Sequence, residues 1–208
     1  MVAVSALFLV ALVVLLLSTA AGAARERLRQ IDVTWQEFAA TRGLGWLPVS
    51  GPWYRRLPSR IKGRIDNVDV TIDSYTETNT DSNDNTTSTT FTRVVARAIE
   101  PLELKARVYR THAFAGLGKL LGFQDVAVGD AIFDDAFIVK ASDEEAVRAL
   151  LHERLRTALL SFPKEPHLVY DHGALTLTWL GHETEPRVLD AATDIALAAC
   201  GSDAAAYR

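Results

Sequence analysis

Side chains able to do acid–base or metal chemistry are few and scattered along the 208-residue chain. Five histidines, His112, His152, His167, His172 and His182, offer imidazoles. No His-Glu-x-x-His spacing puts two of them on one helical face around zinc. His167 and His182 can meet across a C-terminal hairpin with Glu183 adjacent, although ordinary strand and turn histidines account for the same pattern. Asp130, Asp134 and Asp135 cluster closely enough for a carboxylate pair holding a metal, but that spacing suits a turn and a strand edge better. Asp81-x-Asn83-x-Asn85 resembles the start of a calcium loop. Thr86 stands where that loop needs glycine, and Thr92 where it needs a bidentate Glu. Gly116-Leu117-Gly118-Lys119 fails as a phosphate loop, with Ala113 ahead of it and Leu120 behind. There is no Gly-x-Ser-x-Gly elbow. Cys200, the single cysteine, lies among alanines as a small core residue and excludes an internal disulfide. These patterns assign no catalytic, cofactor-binding or metal-ligating residue, and imply no cofactor.

The rest of the chain is informative about place and build. Residues 1–24 carry no Asp, Glu, Lys or Arg. The run from 2 to 24 is long enough to span roughly 30 Å of hydrocarbon at about 1.5 Å per residue. Ala21-Gly22-Ala23 suits a signal-peptide cleavage site, but no basic residue precedes the apolar run. Arg25, Arg27 and Arg29 follow it, which places the C-terminal part in the cytoplasm. The expectation is a single-pass anchor in the inner (cytoplasmic) membrane. Residues 25–64 hold nine basic and three acidic side chains, although the whole chain has a net charge of −4. With Trp35, Trp46, Trp53 and Tyr54 interleaved, Arg25, Arg27, Arg29, Arg55 and Arg56 are candidates for anionic lipid contact. A sequence pI near 5.7 argues against nucleic acid as a partner.

Those side chains need elements to hold them. Leu28, Ile31, Trp35 and Phe38 recur at helical spacing, and Gly43 supplies a stop. Pro48, Gly51, Pro52 and Pro58 make a connector. From Arg60 the period becomes two: Val68, Val70 and Ile72 alternate with Asp69, Thr71 and Asp73, one face buried and one wet. Thr87 to Ile99 reads as a second strand. Between them Thr76 to Thr86 reads as a polar tip. Shorter strands are expected near 103–110, 125–129 and 136–141, then a helix over 143–162. That helix has Ser142 and Glu145 in a capping box and Val147, Leu150, Leu151, Leu155, Leu159 and Phe162 on one stripe. A hairpin, 167–170 with 174–180, precedes a last helix that opens at Pro186 and ends at Gly201. The fold class is α+β: a mainly antiparallel sheet with two C-terminal helices, preceded by one N-terminal transmembrane helix. The expected division is 1–24 anchor, 25–59 juxtamembrane helix and connector, and 60–208 soluble domain.

The stretch Gly129-Asp130-Ala131-Ile132-Phe133-Asp134-Asp135-Ala136-Phe137-Ile138-Val139, followed by Ser142 to Leu151, resembles the bacterial family called domain of unknown function 3137. There a Phe-acid-x-x-Phe strand leads through an acidic cap into a Leu-rich helix, over residues 60 to 200 here. The resemblance implies an α+β domain behind membrane segments, and carries over no activity or site residue. The leading expectation is a non-catalytic, cytoplasm-facing interaction module with an unknown protein partner. An exported (periplasmic) binding domain and a metal-assisted hydrolase are the alternatives.

Overall fold

The computed structural model describes residues 19, 22–23, 26–48, 59–97, 101–111 and 123–201. Most of the expected span 2–24, together with Arg25, the Trp53 to Arg56 part of the connector, His112 and Gly116 to Lys119, lies outside the described residues. Among the described residues no helix is long and apolar enough to cross a membrane.

Helix α1 (26–41) buries Ile31, Trp35, Phe38 and Ala39, the stripe its spacing predicts. Gly43, at φ +67°, ends it, and the Leu44 N–H donates back to the Ala39 carbonyl. Nine strands then form one antiparallel sheet. They are β1 (Gly45–Leu47), β2 (Arg60–Ile65), β3 (Val68–Thr80), β4 (Thr86–Arg97), β5 (Lys105–Arg110), β6 (Gln124–Asp125), β7 (Phe137–Ala141), β8 (His167–Asp171) and β9 (Ala174–Leu180). Their order is β1-β2-β3-β4-β9-β8-β5-β7-β6. Helices α2 (Ala131–Ala136), α3 (Glu144–Leu150), α4 (Glu153–Ser161) and α5 (Pro186–Cys200) complete the α+β fold.

One sheet face is apolar from β3 to β7. Ile72, Val94, Leu177, Leu168, Val108 and Val139 stand in register across six strands, all buried. Helix α5 packs on β3, β4 and β9, and α2 packs on β7. Helix α1 is tied at two levels, to the lead-in of α5 and to α5 itself. The Trp35 indole N–H donates to the Glu183 carbonyl at 2.9 Å, and Arg42 donates to Asp190 at 2.7 Å and Asp194 at 3.1 Å.

Four expectations are corrected. The Thr76 to Thr86 tip is mostly ladder: Thr76↔Thr90 through Thr80↔Thr86 remain paired, leaving only 81–85 as the turn. Its polarity reflects two solvated faces, because Thr76–Thr90, Thr78–Ser88 and Thr80–Thr86 hydroxyls meet across the strands at 3.1–3.3 Å. The helix expected over 143–162 is two helices, broken at Leu151, whose ψ of 49° leaves the helical region. His152 caps α4 by accepting the Leu155 N–H at Nδ1, so its Nε2 donates to the Ala198 carbonyl of α5 at 3.0 Å. Where two C-terminal helices are expected, the described residues thus hold α3, α4 and α5, with the short α2 ahead of them. Ser142 does not cap α3: Asp143 does, accepting from the Ala146 N–H at 2.8 Å, while Ser142 Oγ accepts the Lys105 N–H. Asp73, expected on the wet face, is 6% exposed, because Arg93 grips it with two hydrogen bonds and Arg60 stands at 3.2 Å. In the strands and motif further on, β6 is only two residues long and shares just Asp125 with the region expected at 125–129, and Phe133 lies in a helix, stacked 4.8 Å from Phe137.

Candidate functional site

Residues on the other sheet face alternate with the buried set. Thr71, Val95, Thr176, Val169, Arg107 and Lys140 form one rung across β3-β4-β9-β8-β5-β7. Asp73, Arg93, Thr178, His167, Tyr109 and Ile138 form the next. Beyond them Tyr75, Phe91 and Leu180 make a third. A strand with one buried and one wet face carries polar residues in the outward register. Tyr75, Phe91 and Leu180 break that rule at neighbouring places, and Leu180 is 70% exposed.

These residues line a groove of about 550 Å³ together with Glu77, Tyr109, Glu165, Pro166 and His167. Its first wall is a stack. Phe91 and Arg93 both lie against Tyr75, Phe91 at 5.5 Å between ring centroids and Arg93 with its guanidinium 5.0 Å from the centroid. The Tyr75 hydroxyl reaches across β4 to a hydrogen bond with Thr178, and burial, then the Glu77 carboxylate, raises its pKa. On the opposite wall Tyr109 meets His167 edge-on at 6.1 Å. His167 Nε2 is buried with no hydrogen-bond partner among the described residues. Burial first, and the Arg107 charge second, push that imidazole below its ordinary value, so the wall is neutral at pH 7. Two carboxylates, Glu77 and Glu165, line the groove, and among the described residues the cation in contact with its wall is Arg93, stacked on Tyr75 and held by Asp73. Further along the same face a second hollow of about 470 Å³ is lined by Arg60, Lys62, Asp69, Asp73, Arg93 and Arg97. The open face thus has an aromatic, acid-rimmed end and a charged end, with Arg93 between them.

This arrangement suits binding an apolar group beside a cation. The sequence's other candidates serve the fold. Asp130 caps α2 by accepting the Phe133 N–H and takes Arg156 at 3.0 Å; those contacts hold it below the ordinary carboxylate range. Asp134 accepts the Val128 and Gly129 N–H groups. The Asp135 carbonyl accepts the Thr111 hydroxyl. Asp81 closes its own turn, accepting the Asn83 and Asn85 N–H groups at 2.8 and 2.9 Å. Glu183 is a buried hub: its carboxylate accepts from the Trp179 indole and the Thr184 and Glu185 N–H groups. Beside it, His182 Nδ1 is buried without a partner among the described residues. His172 sits in the β8–β9 turn at φ +44°, bonded to Glu103. The turn needs Gly173 next, since a Cβ there would fall 2.4 Å from Pro101 Cβ. Cys200 is buried, as expected. No cluster of three or more His, Cys, Asp or Glu among the described residues is placed to hold a metal. Arg27 and Arg29 are exposed at the start of α1, whereas Arg25, Arg55 and Arg56 lie outside the described residues.

The groove residues are the ones sequence reasoning missed. The available signal was Leu180 closing the alternation Ala-Leu-Thr-Leu-Thr-Trp-Leu on the polar register, with Tyr75 and Phe91 likewise out of phase.

No family model matches the chain, and no curated protein does. Among solved structures, the crystal structure of the mycobacterial trehalose monomycolate transport factor A, TtfA, is similar in fold. The TM-score is 0.56 at 10% identity, over 82% of this chain and 92% of that one. At that identity the likeness concerns the fold alone.

Proposed function

We propose that this chain is a non-catalytic interaction module, held at the cytoplasmic side of the inner membrane by residues 2–24, that docks a protein partner on its open sheet face. The groove carries the reading: an exposed Leu180 beside stacked aromatics, rimmed by carboxylates, has the makeup of a recognition surface. The fold likeness supports an accessory role, since the solved neighbour is named as a transport factor. So does the resemblance to the domain of unknown function 3137 family, whose α+β part follows membrane segments. Arg27 and Arg29, exposed at the start of α1, would lie against anionic headgroups.

Two measurements test this. Cys200 is buried, so a cysteine placed at Asn67 is the reactive thiol. An impermeant maleimide should label it only after the cytoplasmic membrane is opened; labelling in sealed cells overturns the cytoplasmic placement. Cross-linked partners in intact cells should vanish with Leu180→Asp while melting is unchanged. Partners that persist overturn the docking face.

A further inference from the structure

We infer that the end of the molecule bearing the β3–β4 ribbon faces the bilayer, and that groove and ribbon receive a Lys/Arg-rich extended segment flanking the membrane span of an integral membrane protein. This rests on the anchored reading above and names the partner's chemistry.

Direction comes from the contacts that bracket α5. The Thr92 hydroxyl donates to the Gly181 carbonyl and accepts the Glu183 N–H, so the start of α5 lies at the Thr92 level of β4. Trp35 bonds the Glu183 carbonyl, while Arg42 reaches Asp190 and Asp194 further along, so α1 and α5 run the same way. At the far end Gly201 approaches Val68, the first residue of β3. From the Ser74↔Thr92 rung the ribbon continues six residues to Thr80↔Thr86, about 20 Å at ~3.3 Å per residue. From Trp35, α1 continues back to residue 26, about 14 Å at ~1.5 Å per residue. Both projections leave the same end. The ribbon tip therefore reaches at least the level of residue 26, the first residue of α1, which the apolar run precedes in the sequence.

Chemistry identifies the occupant. Residues 76–92 contain Glu77, Asp81 and Asp84 and no Lys or Arg, so an anionic lipid surface repels the ribbon. Lys and Arg are concentrated on the cytoplasmic flanks of membrane spans, which is the height the ribbon reaches. Glu77 and Glu165 belong to β3 and to the lead-in of β8, three strand spacings apart, roughly 14 Å. That span fits cations on either side of an apolar side chain seated on Leu180 and Phe91. The pairing of β4 with β9 stops at Phe91↔Leu180, so Thr86 to Thr89 offer a strand edge to an extended segment.

The test uses the full chain in vesicles of phosphatidylethanolamine and phosphatidylglycerol, with a donor dye on Ser82→Cys or Asn67→Cys and acceptors on headgroups. The probe is a leucine-rich spanning peptide flanked by Arg-Lys-Leu-Arg-Lys, and its control carries Glu in place of each cation. Energy transfer should be several-fold stronger from Ser82 than from Asn67, since the 13 residues of β3 separate them by about 40 Å. The cationic peptide should bind about tenfold or more tighter than the control, and Glu77→Lys with Glu165→Lys should abolish the difference, whereas Lys62→Glu should not. If the chain floats free of the vesicles, the anchored reading fails and this inference with it. If it is anchored but Asn67 lies nearer the lipid, or the two peptides bind alike, or Ser82 pairs with a second copy or enters the lipid without the peptide, only this inference is overturned.

Discussion

At the residue scale the most consequential side chain is Glu183. Its carboxylate satisfies the Trp179 indole and two backbone N–H groups, while its own N–H and carbonyl bind Thr92 and Trp35. Four elements therefore meet at one residue. Glu183→Ala strands three buried or half-buried donors and should cost about 3 kcal/mol or more, whereas Glu183→Gln keeps an acceptor and should cost about 1 kcal/mol, both read by urea unfolding. A pH effect arises from His167 and His182, whose pKa values burial lowers. As pH falls below about 6.5 the unfolded chain takes up protons there before the folded one does, so stability is lost from that pH downward. Comparing unfolding at pH 7.5 and 5.5 should show a loss that shrinks in the doubly substituted His167→Gln, His182→Gln chain. An unchanged slope would show that neither imidazole is held neutral. Asp81 and Asp130 are also held below their ordinary range, but there it is the charged form that the fold stabilises. Their lowered pKa values come from accepted backbone hydrogen bonds, so their contribution survives to lower pH and disappears only when the carboxylates protonate.

Elements show how far the sequence could be read. The α1 stripe, the alternation of Val68, Val70 and Ile72, and the last helix were legible because burial on one face leaves a fixed period. The break at Leu151 was not. Leu151 and Leu155 satisfy the helical stripe in both arrangements, and only the His152 contact with Ala198, made by another element, rotates α4 onto α5. The Ser142 to Asp143 shift of the cap has the same origin, since Ser142 is already engaged by Lys105 of β5. Consequently Asp143→Ala should cost about 1 kcal/mol through the lost cap. Leu151→Ala should cost about 2–5 kcal/mol through the cavity it leaves. The groove was hardest to see, because its parts come from β3, β4, β9, β8 and β5 and meet only through the sheet order. For the ribbon, the Asp81 N–H donates to the Asn85 carbonyl while the Asn85 N–H goes to the Asp81 carboxylate, which sets Asp81–Asn85 in the hydrogen-bonded register. Pairs then alternate inward, so Glu77↔Thr89 is hydrogen-bonded too, and accepts a two-residue turn. Replacing residues 78–88 with Asn-Gly should move the melting temperature by no more than about 3 °C, since under ~1 kcal/mol is at stake. It should also remove the cross-linked partner; a normal melt with the partner retained would leave the ribbon without a contact role.

For the whole molecule, α1 couples the fold to the apolar run. Trp35 is wholly buried against Glu183 and Arg42 is clamped by two aspartates of α5, so the helix that leads back to residues 2–24 is part of the packed body. A chain held to membranes only by Arg27, Arg29 and their neighbours would be released by salt, because at 1 M the screening length shrinks to about 3 Å. Burial of more than 20 apolar residues is not screened at all. Membranes washed with molar salt should therefore keep the protein, and mass spectrometry of the retained chain should find residues 2–24 still attached. Deleting those residues should release a soluble chain that melts at the same temperature, because among the described residues the buried core begins at Ile31. Release of the intact chain by salt would show that attachment runs through arginines alone. A mature chain starting at Ala24 or Arg25 would show that the apolar run is a cleaved leader, and would move the open sheet face to the opposite side of the membrane.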